Sequence, residues 1–205
     1  MRKLSTLIIS TLLFLSMAIT AQAQSPVDFG LKGGINLANL ANADGDADTR
    51  TGFHAGLVLD FSLPMMPIGI ESGIYYSQKG SEATFGGVNA TSKLDYIEVP
   101  VMAKINVGPP GPFTPHLLVG PYAAYNINAE WEGTDGSSTF TEDRSDFTTD
   151  VDFGGIVGVG ADFNAGVTKL NVQARYSRGF VDINDNGNDD GVYHNVFTIA
   201  AGIMF

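Results

Sequence analysis

The sequence predicts an all-β fold, an eight-stranded antiparallel barrel of the up-and-down type that crosses a membrane. Three observations predict it. Period-2 alternation of apolar with small or polar residues dominates from Phe29 onward, and no 3.6-residue stripe is sustained anywhere. Most of the alternating runs reach the roughly 9–11 residues that a tilted transmembrane strand needs, against a mode of about 5–6 in soluble domains. The connections are short turns at one end and long polar stretches at the other, the asymmetry of a barrel whose two ends face different compartments.

The elements follow in order. Arg2 and Lys3 precede an apolar run over residues 7–19, and Ala21-Gln22-Ala23 supplies a small-x-small cleavage pattern. Residues 1–23 therefore read as an export signal, too short in its apolar part to span a bilayer. Residues 24–205 then form one domain. Alternating runs cover 29–38, 52–61, 68–80, 93–107, 114–127, 150–163, 167–179 and 195–205. Between them, 62–67, 108–113 and 164–166 are turns rich in Pro, Gly and Asn, whereas 39–51, 81–92, 128–149 and 181–194 are longer and polar. Both chain ends fall on the short-turn side, expected in the periplasm, with the long connections outside the cell.

A soluble lipocalin-like barrel shares this alternation with the apolar face turned inward. Three features favour lipid outside. The face opposite the apolar one is crowded with glycine, including Gly30, Gly34, Gly56, Gly73, Gly120, Gly154, Gly160 and Gly202, which suits a narrow interior better than a wet surface. Aromatic residues gather at the ends of the runs: Phe29, Phe61, Phe163 and Phe205 at one end, Phe53, Tyr76, Tyr125, Phe153, Tyr176 and Phe197 at the other. Two such girdles mark a bilayer's interfaces. The apolar face also carries almost no charge through the run centres. Pro100 and Pro121 lie inside runs that would have no free edge, so a bulge or bend is expected at each.

The inner face holds the candidate site, a network of Lys32, Asp60, Glu71, Glu98, Lys104, Asp162, Lys169 and Arg175. Folding each hairpin about the middle of its connection places Lys32 near Asp60, Glu71 near Lys104 and Asp162 near Lys169. Glu98 and Arg175 are then expected to meet across the lumen. Such pairs fill the interior, or line a narrow polar pore.

Other chemistry is sparse. Asp182, Asn184, Asn186, Gly187, Asn188 and Asp190 follow the spacing of a calcium loop, with Tyr193 where the bidentate Glu would stand. Asn42, Asp44, Asp46 and Asp48 make a second alternating run. A plain solvated loop is favoured over a calcium site, because Asn, Asp and Gly are also the commonest loop formers. No other cofactor is expected. Ser177, His194 and Asp189 or Asp190 could form a catalytic triad only within hydrogen-bond reach, which nothing in the spacing enforces. No catalytic residue is assigned, and the chain is read as a non-enzyme. His54 and His116 are read as hydrogen-bonded filling of the interior.

The chain from residue 24 onward resembles the porin-like outer-membrane barrel family of the PorT type, common in the Bacteroidota. The likeness is carried by GLKGGIN at 30–36, GIESGIYYSQKGS at 69–81, LDYIEVPVMAK at 94–104, GPYAAY at 120–125 and ARYSRG at 174–179. The final alternation ending in Phe205 looks like the signal read by the barrel assembly machinery. The resemblance implies a barrel in the outer membrane, with lipid and that machinery as partners. It also implies, for some members, an accessory role in protein secretion.

Composition limits the rest. The 205 residues include no Cys and carry a formal charge of −11, which excludes disulfide scaffolds, thiolate chemistry and nucleic-acid binding. Signal cleavage would take the charge to −13 by removing Arg2 and Lys3. The four long connections hold fourteen acidic residues against Arg50 and Arg144. The excess is thus expected on an outer rim, suited to divalent cations or basic protein partners.

Overall fold

The computed structural model describes residues 27–41, 48–63, 66–85, 88–109, 111–135, 138–143, 149–181 and 193–205. The export signal and the calcium-like segment lie outside the described residues, as does the acidic run of residues 42–47. Among the described residues there are nine strands: β1 (Val27–Ala41), β2 (Asp48–Ser62), β3 (Ile68–Phe85), β4 (Val88–Asn106), β5 (Phe113–Asp135), β6 (Ser138–Asp143), β7 (Val151–Ala165), β8 (Thr168–Gly179) and β9 (Tyr193–Met204). Each strand pairs antiparallel with its neighbours, and β1 bonds both β2 and β9 while β4 bonds β5. Eight strands thus close into a ring, and β6 lies outside it against the upper half of β5.

The burial pattern is the reverse of a soluble protein's. Leu31, Leu57 and Ile74 are 59%, 60% and 57% exposed, whereas Lys32, Asp60 and Glu71 beside them are 3%, 0% and 0% exposed. Apolar side chains therefore cover the wall, and charged ones fill the interior. Ring pairs sit at both ends of the wall. Phe29–Phe205 and Phe113–Phe163, at 6.4 and 5.1 Å, mark the short-turn end, and Phe53–Tyr76, at 5.2 Å, marks the other. Closure is completed by reciprocal backbone bonds between Phe29 and Phe205, 3.2 and 2.9 Å long. A closed ladder leaves no strand edge facing lipid, where an unpaired N–H or C=O would cost several kcal/mol.

Two long connections are not loops. Residues 81–92 are a ribbon in which β3 and β4 stay paired up to Phe85 and Val88. Residues 128–143 form a second ribbon of β5 with β6. Regular apolar alternation stops in these segments, but backbone pairing continues through them. The two prolines also behave differently from expectation. The β3–β4 ladder lacks pairs at Val99 and Pro100, and the β4–β5 ladder lacks them at Val101 and Met102, opposite Pro121 and Gly120, yet the register is the same on either side. Each proline interrupts the ladder without a bulge, and the Ser72 hydroxyl donates to the Pro100 carbonyl at 2.7 Å. The register shifts lie elsewhere, between Asp95 and Tyr96 and between Thr49 and His54.

The inner glycines sit where neighbouring strands approach too closely for a side chain. A Cβ at Gly34 would lie 2.1 Å from the Ile199 carbonyl oxygen, and one at Gly56 would lie 2.1 Å from that of Ile74. At the adjacent, lipid-facing Gly33 the nearest atom is 3.7 Å away. We expect Gly34→Ala to cost about 1–3 kcal/mol or to block folding, and Gly33→Ala to be close to neutral. Urea titration of the detergent-folded barrel, followed by heat-modifiable gel mobility, checks the contrast.

Candidate functional site: the charged lumen

Inward positions on a strand share one parity, except that β5 changes parity between Asn126 and Ala129 at its register shift, so alternation largely decides which side chains reach the lumen. Among the described residues five buried cations, Lys32, Arg50, Lys79, Lys104 and Arg175, face five buried carboxylates, Asp60, Glu71, Glu98, Asp152 and Asp162. The interior is therefore electrically balanced. It divides into three levels.

At the short-turn end Lys104 Nζ donates to Asp60 Oδ2 and Asp162 Oδ2, both at 2.6 Å, tying β2, β4 and β7 together across the lumen. Asn171 Nδ2 donates to the other Asp162 oxygen at 2.6 Å. Lys169, at the mouth, bonds Asp28 at 2.5 Å and reaches Asp60 at 3.5 Å. A cavity of about 630 Å³ opens below this level, with Met66, Asn106, Thr114 and Lys169 in its wall and Lys104 with Asp162 at its inner end.

At mid-height Lys32 Nζ donates to Glu71 Oε1 at 2.6 Å, and Gln173 Nε2 donates to Glu71 Oε2 at 2.7 Å. Arg175 Nη2 meets His54 Nε2 at 2.7 Å. Because a guanidinium only donates, that nitrogen accepts and the His54 proton sits on Nδ1. His54 stacks on Tyr75 at 4.4 Å, and the Arg175 guanidinium stands 5.6 Å from the same ring. Asn36 closes the level, donating to Ser77 Oγ and accepting from Thr198 Oγ1 at 3.0 and 2.8 Å.

Towards the long-connection end Lys79 Nζ lies 2.9 Å from Glu98 and 3.3 Å from Asp152. The same ammonium is 4.4 and 5.0 Å from the ring centres of Tyr122 and Tyr96. Tyr122 donates to Asp152 at 2.9 Å, and the Tyr96 hydroxyl meets His194 Nε2 at 3.1 Å. Arg50 donates to the Lys79 carbonyl. Beside this level an apolar cluster of Leu94, Met102, Leu118, Ala124 and Ile156 packs against the β4–β5–β7 side of the lumen.

The structure places all eight expected network residues on the inner face, but it does not join them as expected. Opposite Asp60 the register sets Asp28, and opposite Lys32 it sets Gly56. Glu71 faces Met102 rather than Lys104, and Asp162 faces Asn171 rather than Lys169. Each expected hairpin is slipped by two or four residues. An even slip preserves the face, so the residues stay inside while their partners change. Glu98 pairs with Lys79 and Arg175 with His54, so those two do not form the expected cross-lumen bond.

Lys79, Asp152, Arg50 and Asp28 were missed by sequence reasoning. Their parity was the available signal: Lys79 matches Glu71, Asp152 matches Gly154, and Arg50 matches His54. His116 differs from its expected role. It is buried, 3.8 Å from Asp162, and neither ring nitrogen makes a hydrogen bond among the described residues. The Ser177 hydroxyl donates to the Val196 carbonyl at 3.4 Å while His194 engages Tyr96, so these two are not hydrogen-bonded to each other.

A lipid-facing apolar wall around a balanced, charged interior defines an integral outer-membrane β-barrel. A family model for the outer membrane protein beta-barrel domain matches residues 21–185, and the chain belongs to that family. Among solved structures it is similar to Neisserial surface protein A, with 13% identity over 86% of this chain and 95% of that one, at a TM-score of 0.50. It is similar too to a major outer membrane protein from Thermus thermophilus, with 12% identity over 87% and 98% and a TM-score of 0.49. The attachment invasion locus protein Ail of Yersinia pestis shares 13% identity over 87% and 98%, with a TM-score of 0.47. No curated protein sequence matches the chain.

Removing Lys104 leaves buried Asp162 without its ammonium partner and buried Asp60 with only Lys169, 3.5 Å away. Lys104→Met is expected to destabilise the barrel by about 3–5 kcal/mol. The combination with Asp60→Asn and Asp162→Asn should recover most of that loss. Urea unfolding of the three single variants and the triple variant in micelles measures the coupling.

Proposed function

We propose that the protein is a non-enzymatic outer-membrane barrel whose body is a structural plug and whose polar upper end is its working surface. One observation carries this reading: the lumen is bridged at three levels by Lys104, Lys32 and Lys79, each bonded to a carboxylate on another strand. Eight strands leave room for side chains and little else. The cavity at the short-turn mouth reaches Lys104 and Asp162, the lowest of those bridges.

The finer assignment is to the PorT-type branch, supported by the five sequence segments at 30–36, 69–81, 94–104, 120–125 and 174–179. Residues 1–23 act as the cleaved export signal and Phe205 as part of the assembly signal. The short turns and both chain ends face the periplasm. The ribbons and long connections face outward, and their acidic excess makes them a contact surface for divalent cations or basic protein segments. Calcium at residues 182–190 is tested by calorimetry: heat that disappears in Asp182→Ala supports the site, and no heat removes it.

Planar-bilayer recording tests the plugged body. The wild-type barrel is expected to give no stable single-channel steps, and the Lys32→Ala, Lys79→Ala, Lys104→Ala triple variant is expected to leak. Steps of constant size in the wild type would overturn the reading. Protease shaving of whole cells, with cleavage confined to the long connections, checks the orientation.

A further inference from the structure

We propose that Arg178, with Asn195, forms a site on the outer wall for the phosphate headgroup of a membrane lipid. The proposal rests on the outward orientation given above only for which leaflet supplies that lipid.

Arg178 is exposed on β8, on the lipid-facing parity shared with Leu170, Val172 and Tyr176. In the ladder it stands opposite Gly155 of β7 and Asn195 of β9. The outward residues around it are aromatic: Phe153, Tyr176, Phe180 and Phe197 are 53%, 43%, 68% and 41% exposed. The Phe180 backbone N–H donates to the Phe153 carbonyl at 2.7 Å, and its ring lies over Gly155, 3.4 Å from where a Cβ would be. Arg178 therefore lies in the ladder at the level of the upper girdle, where headgroups lie.

Its electrostatic setting is unusual for this acidic protein. The outward residues of β7, β8 and β9 near it (Val151, Phe153, Tyr176, Tyr193, Asn195 and Phe197) include no carboxylate. Among the described residues its guanidinium makes no hydrogen bond or ion pair. Lys93, another outward cation of this end, is neutralised by Glu132. A planar, five-donor fork without a partner among the described residues matches phosphate geometry in two-point contact.

Asn195 supplies the second donor. Its Oδ1 accepts the Tyr176 hydroxyl at 3.1 Å, which commits the carbonyl end of the amide and leaves Nδ2 to donate. The two donors sit on paired residues of adjacent strands, so a single phosphate can reach both. The aromatic surround suits acyl chains below the headgroup, which points to a lipid rather than a free anion.

Native mass spectrometry of the full barrel, titrated with phosphatidic acid or phosphatidylcholine in micelles, reads the site directly. In a micelle the lipid reaches both ends, so the outcome does not depend on which end faces outward. Heat-modifiable gel mobility first establishes that each variant is folded. Arg178→Gln is expected to weaken the first phosphatidic acid adduct about fivefold, the worth of one interfacial cation, and to weaken the first phosphatidylcholine adduct by less, because the charge of its phosphodiester is already neutralised by choline. Asn195→Leu should weaken the same adduct by less. Equal phosphatidic acid affinity in wild type and Arg178→Gln would overturn the proposal. So would displacement by inorganic phosphate as effective as displacement by excess lipid.

Discussion

The closure of β1 onto β9 is the constraint from which the rest of the structure follows. In lipid no water is available to bond a free strand edge, so the eight strands must end where they began. A ring of eight is narrow, and every inward side chain faces others across a short distance. Space then becomes the scarce quantity inside the barrel. Glycine at Gly34, Gly56 and Gly154 lets neighbouring strands approach until a carbonyl oxygen stands 2.1 Å from where a Cβ would be. Pro100 is tolerated within the closed wall because its missing bond costs a gap in the ladder, not a change of register, and its carbonyl still has the Ser72 hydroxyl.

The same narrowness explains the charges. An ion taken from water into this interior loses several kcal/mol of hydration, which only close partners and additional hydrogen bonds offset. The lumen meets that demand by making six of its ten buried ions serve two groups. Lys104 bridges two carboxylates, Glu71 accepts from Lys32 and Gln173, and Asp152 accepts from Lys79 and Tyr122. The bonds of Lys104 to Asp162, Gln173 to Glu71 and Lys79 to Asp152 join strands that are not neighbours in the ring, so they fasten distant strands to one another. They stiffen the wall and obstruct the passage with the same atoms. Beyond this network the ribbons of β3–β6 continue the wall as paired strands.

The outer wall divides less evenly than the inner one. Among the described residues most of the belt is aliphatic between two sets of rings, and the outward cations of its upper end are Lys93 and Arg178. Lys93 has Glu132 beside it, whereas Arg178 lies on the stretch of wall that carries Phe153, Tyr176 and Phe197. The acidic character of the protein therefore belongs to its upper connections and not to the surface that meets lipid.

Alternation by itself determined the strands of the ring, their lipid-facing and inward residues, the two girdles and the membership of the charge network, because a period of two reports which side of a sheet a residue occupies. Lys79 and Asp152 were legible by that parity too, although they fell at the margins where apolar alternation fades. Partners were a different matter. Lys32 could be placed inside from the sequence, but its bond to Glu71 rather than Asp60 depends on a register offset of even length, which leaves the pattern unchanged. The ribbons at 81–92 and 128–143 were hidden for a related reason: regular apolar alternation stops in these segments while backbone pairing continues, so no apolar stripe announces it. Sequence thus decided which surface each side chain joins, and only the closed tertiary structure decided whom it meets, since register and cross-lumen reach are properties of the ring and not of any strand within it.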